Sequence, residues 1–423
     1  MTVNLRNIIL DILLEVLENE NYSHIVLSQV LEKHQYLTKQ ERSFISRVSR
    51  GTIERCMEMD KIINTYSKTK VRKMKPEIRN ILRMSVYQLK YMDSVPASAV
   101  CNEAVNLTKK RSVPQLKGFV NGVLRSISRN EKAVKFTISQ QYSMPEWIVE
   151  EFTGRFKEEK TKEILEAFLT AHDTTIRTNT AMVTPEELKK HLEDEGVVVK
   201  PVESLDYAFR ISGYDHLSSL KSFRNGEFYI QDLSSMMVAE RSGVKRDDEV
   251  LDVCAAPGGK SLHVAELLKG TGHVISRDLT EMKVDLIREN ISRSNMKNME
   301  AMVWDARVLD ESLVEKEDIV IADLPCSGLG IIGKKPDIKY RIKKEDQESL
   351  RDLQREILST VHRYVKPGGT LVYSTCTICQ MENEDNVAWF LENHPEFSLE
   401  SEEQLLPGAE SMDGFFIAVL KRR

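Results

Sequence analysis

A chain of 423 residues and 48.5 kDa holds about two to four domains at the usual size of a folding unit. Hydrophobic residues make up 41% and charged residues 30%, which suits buried cores under a solvated surface and excludes a disordered or fibrous chain. No apolar run reaches the roughly 18 residues of a membrane helix. The net charge of -5 is a sum of unlike parts. Residues 1–140 carry 24 Lys/Arg against 13 Asp/Glu, a net of +11, and the remainder carries 36 against 52, a net of −16. Such asymmetry points to a polyanion at the basic end or to a solvated basic face.

The six cysteines, Cys56, Cys101, Cys254, Cys326, Cys376 and Cys379, are too few and too scattered for a disulfide framework. Asp11 and Glu15 interrupt the first apolar stretch, so no signal peptide is expected. A cytoplasmic chain is the expectation.

The first region reads as all-helical. Leu5, Ile8, Ile9, Ile12, Leu13, Val16 and Leu17 form one stripe at helical spacing. Pro76 suits a first helical turn, followed by Ile78, Ile81, Leu82, Val86 and Leu89. A helix after Pro96 carries Val100, Ala104 and Leu107, and another carries Phe119, Val123, Leu124 and Ile127. Basic residues lie between the stripes, including Arg42, Arg47, Arg50, Lys68, Lys70, Arg72, Lys73, Lys75, Lys109, Lys110, Arg111, Lys117, Arg125 and Arg129. A bundle so decorated can hold phosphates without reading bases. "RNILRMSVYQLKYMDSVPASAVCNEAV" and "LKGFVNGVLR" resemble the NusB-like RNA-binding domain. The resemblance covers residues 1–135 and rests on packing residues.

A boundary is expected within residues 136–160. Beyond it "TIRTNT", "EGVVVK" and "GEFYIQD" read as strands, and Thr184 caps a helix from Pro185 with Glu187 at the capping-box position. This predicts a small α+β subdomain over 140–235.

The last region carries chemistry. "DEVLDVCAAPGGKSLHVAELL" reads as strand, tight loop and helix. Gly258 and Gly259 let a ligand approach the backbone, and the helix offers its positive end. Gly259-Lys260-Ser261 matches the end of a phosphate-binding loop, but Cys254 stands where that pattern needs its first glycine. An adenosyl cofactor fits better, because Asp278 follows in the next strand at the distance of a ribose-holding acid. "MEAMVW" reads as a strand ending at Asp305, "EDIVIAD" as one ending at Asp323, and "TLVYSTC", after "KPGG", as one ending at Cys376. Open α/β sheets bind ligands at that edge. Cys326, in Asp323-Leu324-Pro325-Cys326, and Cys376 are candidate nucleophiles if a thiolate is stabilised there, and otherwise structural cysteines. Cys376 and Cys379 form a CxxC without a second ligand pair, so no metal is expected.

"LDVCAAPGGK", "DLPCSGLG" and "YSTCTICQMENEDNV" together resemble the RNA cytosine-5 methyltransferases, and "DGFFIAVLKR" resembles that family's last hairpin. The resemblance covers residues 145–423, and the helical domain in front narrows it to the branch acting on small-subunit ribosomal RNA. It implies a multidomain α and α/β chain: a NusB-like helical domain over 1–135, the α+β subdomain over 140–235, and a Rossmann-like domain over 236–423 that binds S-adenosylmethionine.

Carried over motif by motif, it implies cofactor binding by Cys254, Ala255, Ala256, Pro257, Gly258, Gly259 and Lys260, by Asp278 at the ribose, by Asp305 beside the adenine, and by Asp323. Cys376 matches the family nucleophile, and Cys326 and Asp323 match the other catalytic positions. Arg277 departs from the usual small or apolar residue, and "KKPDIKYR" keeps Pro336, Asp337 and Arg341 but lacks the usual His. The implied reaction is methylation of carbon 5 of a cytosine in 16S ribosomal RNA by a monomer that meets no membrane. Transfer RNA or another ribosomal position, an RNA-binding factor with a spent catalytic fold, and a phosphate-loop NTPase are the rivals.

Overall fold

The computed structural model describes residues 4–111, 113–129, 133–171, 173–408 and 412–423. The chain divides into two compact units, Met1–Thr170 with Ile332–Ile342, and Ala171–Ile331 with Lys343–Arg423.

The first unit is helical: α1 (Leu5–Leu17), α2 (Ser23–Lys33), α3 (Lys39–Glu54), α4 (Cys56–Tyr66), α5 (Pro76–Tyr91), α6 (Ala97–Lys110), α7 (Lys117–Arg129), α8 (Ile138–Gln141) and α9 (Glu146–Leu169). Local chemistry sets the helix starts. Asn4 accepts from the Asn7 amide at α1, Thr38 and Glu41 form a capping box at α3, and Pro76 opens α5. The α1 stripe is buried at Ile9, Ile12 and Leu13, and Leu10 is buried as well, because neighbours cover α1 on more than one side. Its core continues through Ile45, Val48, Met59, Ile63, Ile81, Leu82, Val120 and Leu124.

A segment from late in the sequence completes this unit. Arg50 donates to the Gly333 carbonyl (2.6 Å), Lys339 Nζ to the Glu54 carbonyl (2.8 Å), and the Tyr340 hydroxyl to the Ile53 carbonyl (2.9 Å). The Ser23 hydroxyl donates to buried Asp337, and Arg341 lies 3.7 Å over the Tyr22 ring.

The second unit holds two sheets. The smaller has β1 (Thr174–Thr178), β2 (Val198–Pro201), β3 (Ala208–Ser212) and β4 (Phe228–Ile230) in the order β2-β3-β1-β4, all antiparallel. Helix α10 (Pro185–Asp194) starts at the expected Thr184–Glu187 capping box and buries Leu188 and Leu192 with Ile176, Phe209, Ile211 and Phe228. After α11 (Lys221–Arg224) and α12 (Leu233–Arg241) comes the larger sheet.

That sheet has β5 (Glu249–Asp252), β6 (His273–Asp278), β7 (Met299–Val303), β8 (Glu317–Asp323), β9 (Val365–Thr375), β10 (Phe397–Leu405) and β11 (Phe415–Arg422) in the order β10-β11-β9-β8-β5-β6-β7. Strands β5 to β9 run parallel, and β10 and β11 are antiparallel. Helices α13 (Gly259–Leu267), α14 (Glu281–Arg293), α16 (Lys344–Val361) and α17 (Glu384–Asn393) complete the unit, α15 (Ile338–Arg341) lying in the first. The order reverses between β5 and β8, which opens a crevice at their C-terminal ends.

Two expected strand limits differ. β7 ends at Val303, two residues before Asp305, its last rung being Trp304 N–H to the carbonyl of Asp278, where β6 also ends (3.0 Å). "KPGG" lies inside β9 as an irregularity opposite Glu317 and Ile319, with Gly368 at φ +79°. A buried ion pair joins the two sheets: Arg177 on β1 meets Glu266 on α13 at 2.6 Å, both side chains almost fully enclosed.

Candidate active site

β5 leads into the glycine loop, and Gly258 takes φ +99° at the cap of α13, a conformation costly for a side chain. A Cβ there would press on Ile287 at 3.2 Å. The loop amides are already committed: Ala255 N–H donates to the Arg277 carbonyl (2.8 Å), Gly258 N–H to the Ala255 carbonyl (2.6 Å), and Ala256 N–H to the Asp278 carboxylate (3.0 Å). An anionic phosphate here would face Asp278 and buried Asp252, which weighs against the phosphate-loop reading. The loop's Cys254 thiol is pushed well up by burial and by Asp278 and Asp252, so it is an uncharged wall.

Asp278, buried at the end of β6, also accepts from Leu279 N–H (2.8 Å) and Lys283 Nζ (2.9 Å). A carboxylate offers about four acceptor directions, so three donors leave room for a ribose hydroxyl. Asp305 sits beyond β7 with both oxygens held by Arg307 (3.0 and 2.7 Å), which keeps its carboxyl below the usual range. Arg277, the departure in sequence, is buried. It pairs with Asp310 at 2.6 Å and stacks 4.6 Å over Trp304, stapling the loop that carries Asp305.

Lys260, the last residue of the expected cofactor loop, makes an ion pair within the protein. Its Nζ lies 2.7 Å from Asp323, and its ammonium rests 5.3 Å over the Phe415 ring. Burial works against its charge, but Asp323, Asp252 and Cys376 outweigh burial and raise its proton affinity. The other Asp323 oxygen accepts from the Ser374 hydroxyl at 2.9 Å. Lys260 therefore ties the glycine loop to the acid and faces the Cys376 sulfur.

Cys326 and Cys376 meet at 3.3 Å, sulfur to sulfur, as a thiol hydrogen bond. The Cys326 thiol is pushed well above its ordinary value by Cys376 beside it, by burial and by Glu382. Gly330 N–H donates to the Cys376 carbonyl (3.1 Å) and Gly414 N–H to the Gly330 carbonyl (2.8 Å). A Cβ on Gly330 would overlap the Gly414 carbonyl, so the chain must be glycine where the loops cross.

Sequence reading missed the polar layer beneath the sulfurs: Gln354, Tyr373, Glu382, Asn383 and Asn386, all fully buried. The run Glu382-Asn383-Glu384-Asp385-Asn386 was the available signal, since acids and amides rarely gather beside an apolar strand without a task. Among the described residues, His362, His394 and Glu396 bring three ligand-capable atoms within 4.8 Å of one another, the two imidazoles tilted at 43° with centroids 4.0 Å apart.

Three family models match: "16S rRNA methyltransferase RsmB/F" over residues 243–421, "NusB family" over 3–129, and "Methyltr_RsmF/B-like, ferredoxin-like domain" over 144–215. The chain is 35% identical to the probable ribosomal RNA small subunit methyltransferase B of Bacillus subtilis across 99% of both chains. The chain belongs to the ribosomal RNA small subunit methyltransferase B family. It is an S-adenosylmethionine-dependent ribosomal RNA methyltransferase. A ribosomal RNA small subunit methyltransferase B of Proteus mirabilis is 29% identical across 99% of both chains. Among solved structures, the crystal structure of PH0851 covers all of both chains with TM-score 0.85 at 27% identity. A methyltransferase homolog protein from Pyrococcus horikoshii, at 26% identity and TM-score 0.60, spans 68% of this chain and 98% of its own. The chemistry of the Asp278 carboxylate and the Gly258 cradle fits S-adenosylmethionine, since a ribose hydroxyl needs an acceptor and an adenosyl group needs close backbone.

Proposed function

We propose that this methyltransferase modifies carbon 5 of a cytosine in 16S ribosomal RNA through a covalent bond between Cys376 and the base. The observation that carries the reading is the sulfur pair at 3.3 Å beside the Lys260–Asp323 ion pair. Carbon 5 of cytosine is a weak nucleophile. Addition of the Cys376 thiolate to carbon 6 makes carbon 5 electron-rich. At the ring-nitrogen edge Asp323 accepts from the exocyclic amine, and the Lys260 ammonium, with a proton to donate, offsets the negative charge that develops on the ring nitrogen. Bound S-adenosylmethionine supplies an electrophilic methyl group, held by residues 254–259, by Asp278 at the ribose and by the loop of Asp305. Cys326 then assists removal of the carbon 5 proton, and the bond from carbon 6 to sulfur breaks to free Cys376. A base in a stem must leave the stack to reach this crevice.

In this reading residues 1–135 hold RNA, residues 140–235 form the connecting subdomain, and residues 236–423 carry the reaction in a monomer. Lys68, Lys70, Arg72, Lys73 and Lys75 are all exposed on the turn between α4 and α5, as a phosphate-gripping surface requires. No helix among the described residues is long and apolar enough to cross a membrane. Six free cysteines suit a reducing compartment, and we place the enzyme in the cytoplasm.

Ribosomal RNA carrying 5-fluorocytosine, which blocks release, tests the chemistry. The expected result is a stable adduct mapped to Cys376 and absent in Cys376→Ala. An adduct that survives the substitution refutes the assignment. Bisulfite mapping of ribosomal and transfer RNA with and without the protein identifies the base.

A further inference from the structure

Two neighbouring residues, neither assigned by the motif comparison, hold both cysteines from below. Glu382 lies on a single turn after β9, buried completely. Its Oε2 accepts from the Ser327 amide at 2.9 Å and from Gln354 Nε2 at 3.0 Å. Gln354 Nε2 in turn donates to the Pro325 carbonyl at 2.9 Å. The backbone on both sides of Cys326 is thus held by one Glu–Gln pair. Asn383 does the same for Cys376. The Thr375 hydroxyl donates to Asn383 Oδ1 at 2.6 Å, and Asn383 Nδ2 donates to the Thr377 carbonyl at 3.1 Å. A Ser327–Thr377 hydroxyl contact at 2.7 Å joins the two clamps.

We propose that Glu382 and Asn383 are the positioning residues that set the spacing of the sulfurs, Glu382 for the release step through Cys326 and Asn383 for the addition step through Cys376. Buried polar groups in a fully connected network fix one arrangement strongly. A misplacement of about 1 Å at reacting atoms costs on the order of a hundredfold in rate. Because Glu382 and Asn383 are adjacent, one short segment registers both loops. The bonds from Ser327 and Gln354 end on the same oxygen of Glu382, so a glutamine amide oxygen can accept both and a leucine cannot.

The inference rests on the covalent reading above. The test uses the full-length enzyme with natural RNA, with 5-fluorocytosine RNA, and with thermal melting as the check on folding. For Glu382→Leu, we expect adduct formation on the fluorinated RNA within a few-fold of the unaltered enzyme, accumulation of adduct on natural RNA, and kcat lowered at least tenfold. Glu382→Gln recovers most of that loss. For Asn383→Leu, adduct formation itself falls at least tenfold. If Glu382→Leu does not fold, Glu382→Asp, which shortens the reach by one methylene, carries the same comparison. Folded variants that slow both steps equally, or neither, overturn the inference, as does a Glu382→Gln as impaired as the leucine variant. An unaltered enzyme that forms no Cys376 adduct refutes the cytosine-5 reading instead, so the two failures are distinct.

Discussion

Lys260→Met removes the charge that joins the glycine loop to Asp323, the acid of the proposed mechanism, and leaves most of the apolar stem. The Lys260–Asp323 contact is 2.7 Å, and the Lys260 side chain is only 15% exposed. A hydrogen bond between ionised groups in such a setting contributes about 1.5–3 kcal/mol, which is roughly 10- to 150-fold in rate at about 1.4 kcal/mol per decade. The loss falls on the chemical step, because the ammonium faces Asp323 and Cys376. The assay is single-turnover adduct formation on 5-fluorocytosine RNA at saturating S-adenosylmethionine, with cofactor affinity measured separately by calorimetry. We expect a rate lowered by about 10- to 150-fold with cofactor affinity changed by less than a few-fold. An adduct rate within twofold of the unaltered enzyme, with affinity strongly weakened, refutes the reasoning and returns Lys260 to the cofactor.

Cys326→Ala should let the adduct persist on natural RNA with turnover at least tenfold lower; unchanged turnover on a gel-resolved time course makes Cys326 structural. Arg177→Met leaves buried Glu266 without its cation and should cost about 3–5 kcal/mol in urea unfolding, whereas Arg177→Met with Glu266→Leu should recover much of it; equal stability of single and double variants counts against the pair. Burial pushes the Asp252 carboxyl up to about 7, against help from Ser261 and Lys260. Its folded-state proton affinity therefore exceeds that of the unfolded chain, so its contribution is fully present below about pH 4 and lost as pH rises through about 7. Asp252→Asn should gain on the unaltered enzyme by about 1–4 kcal/mol between pH 4 and 8, read from urea midpoints, and a gap constant with pH contradicts this. RNA affinity should fall steeply with salt through phosphate neutralisation, and Lys68→Ala with Arg72→Ala should reduce the slope of log affinity against log salt by about two; an unchanged slope moves the RNA elsewhere.

Patterns of short period were legible in the sequence. The α1 stripe, the Thr184 cap and the parallel strands ending at Asp278 and Asp323 all depend on neighbours within a few residues. So did the glycine loop, whose spacing fixes strand, turn and helix together. What escaped is long-range. Ile332–Ile342 packs with α2 and α3, 283 to 314 residues away in sequence, and no periodicity along the chain announces that. β3 was missed because "AFRIS" is short and lies among turn residues. At the site, Lys260 belongs to a cofactor motif by position, yet its long stem carries the charge across the crevice to Asp323. A motif fixes where a backbone sits, and a flexible side chain is free to serve a neighbouring task.

The acidity of the catalytic half raises a separate question, since it must approach RNA with a net charge of −16. The structure accounts for much of the acid near the crevice. Asp278 pairs with Lys283, Asp305 with Arg307, Asp310 with Arg277, Asp323 with Lys260, and Glu266 with Arg177. Burial pushes the Asp252 carboxyl up to about 7, so it is only partly ionised near neutral pH. Opposite charges within 3 Å cancel at the distance of a phosphate, because the field of a close pair falls much faster than that of a lone charge. The net of −16 already counts these cations, so the acid excess belongs to other carboxylates, and what lies near the crevice is a set of locally neutral pairs. In the proposed reaction those carboxylates would act on ribose and base at hydrogen-bond range, where a pair still has direction, while the exposed turn from Lys68 to Lys75 would supply the long-range attraction of phosphates.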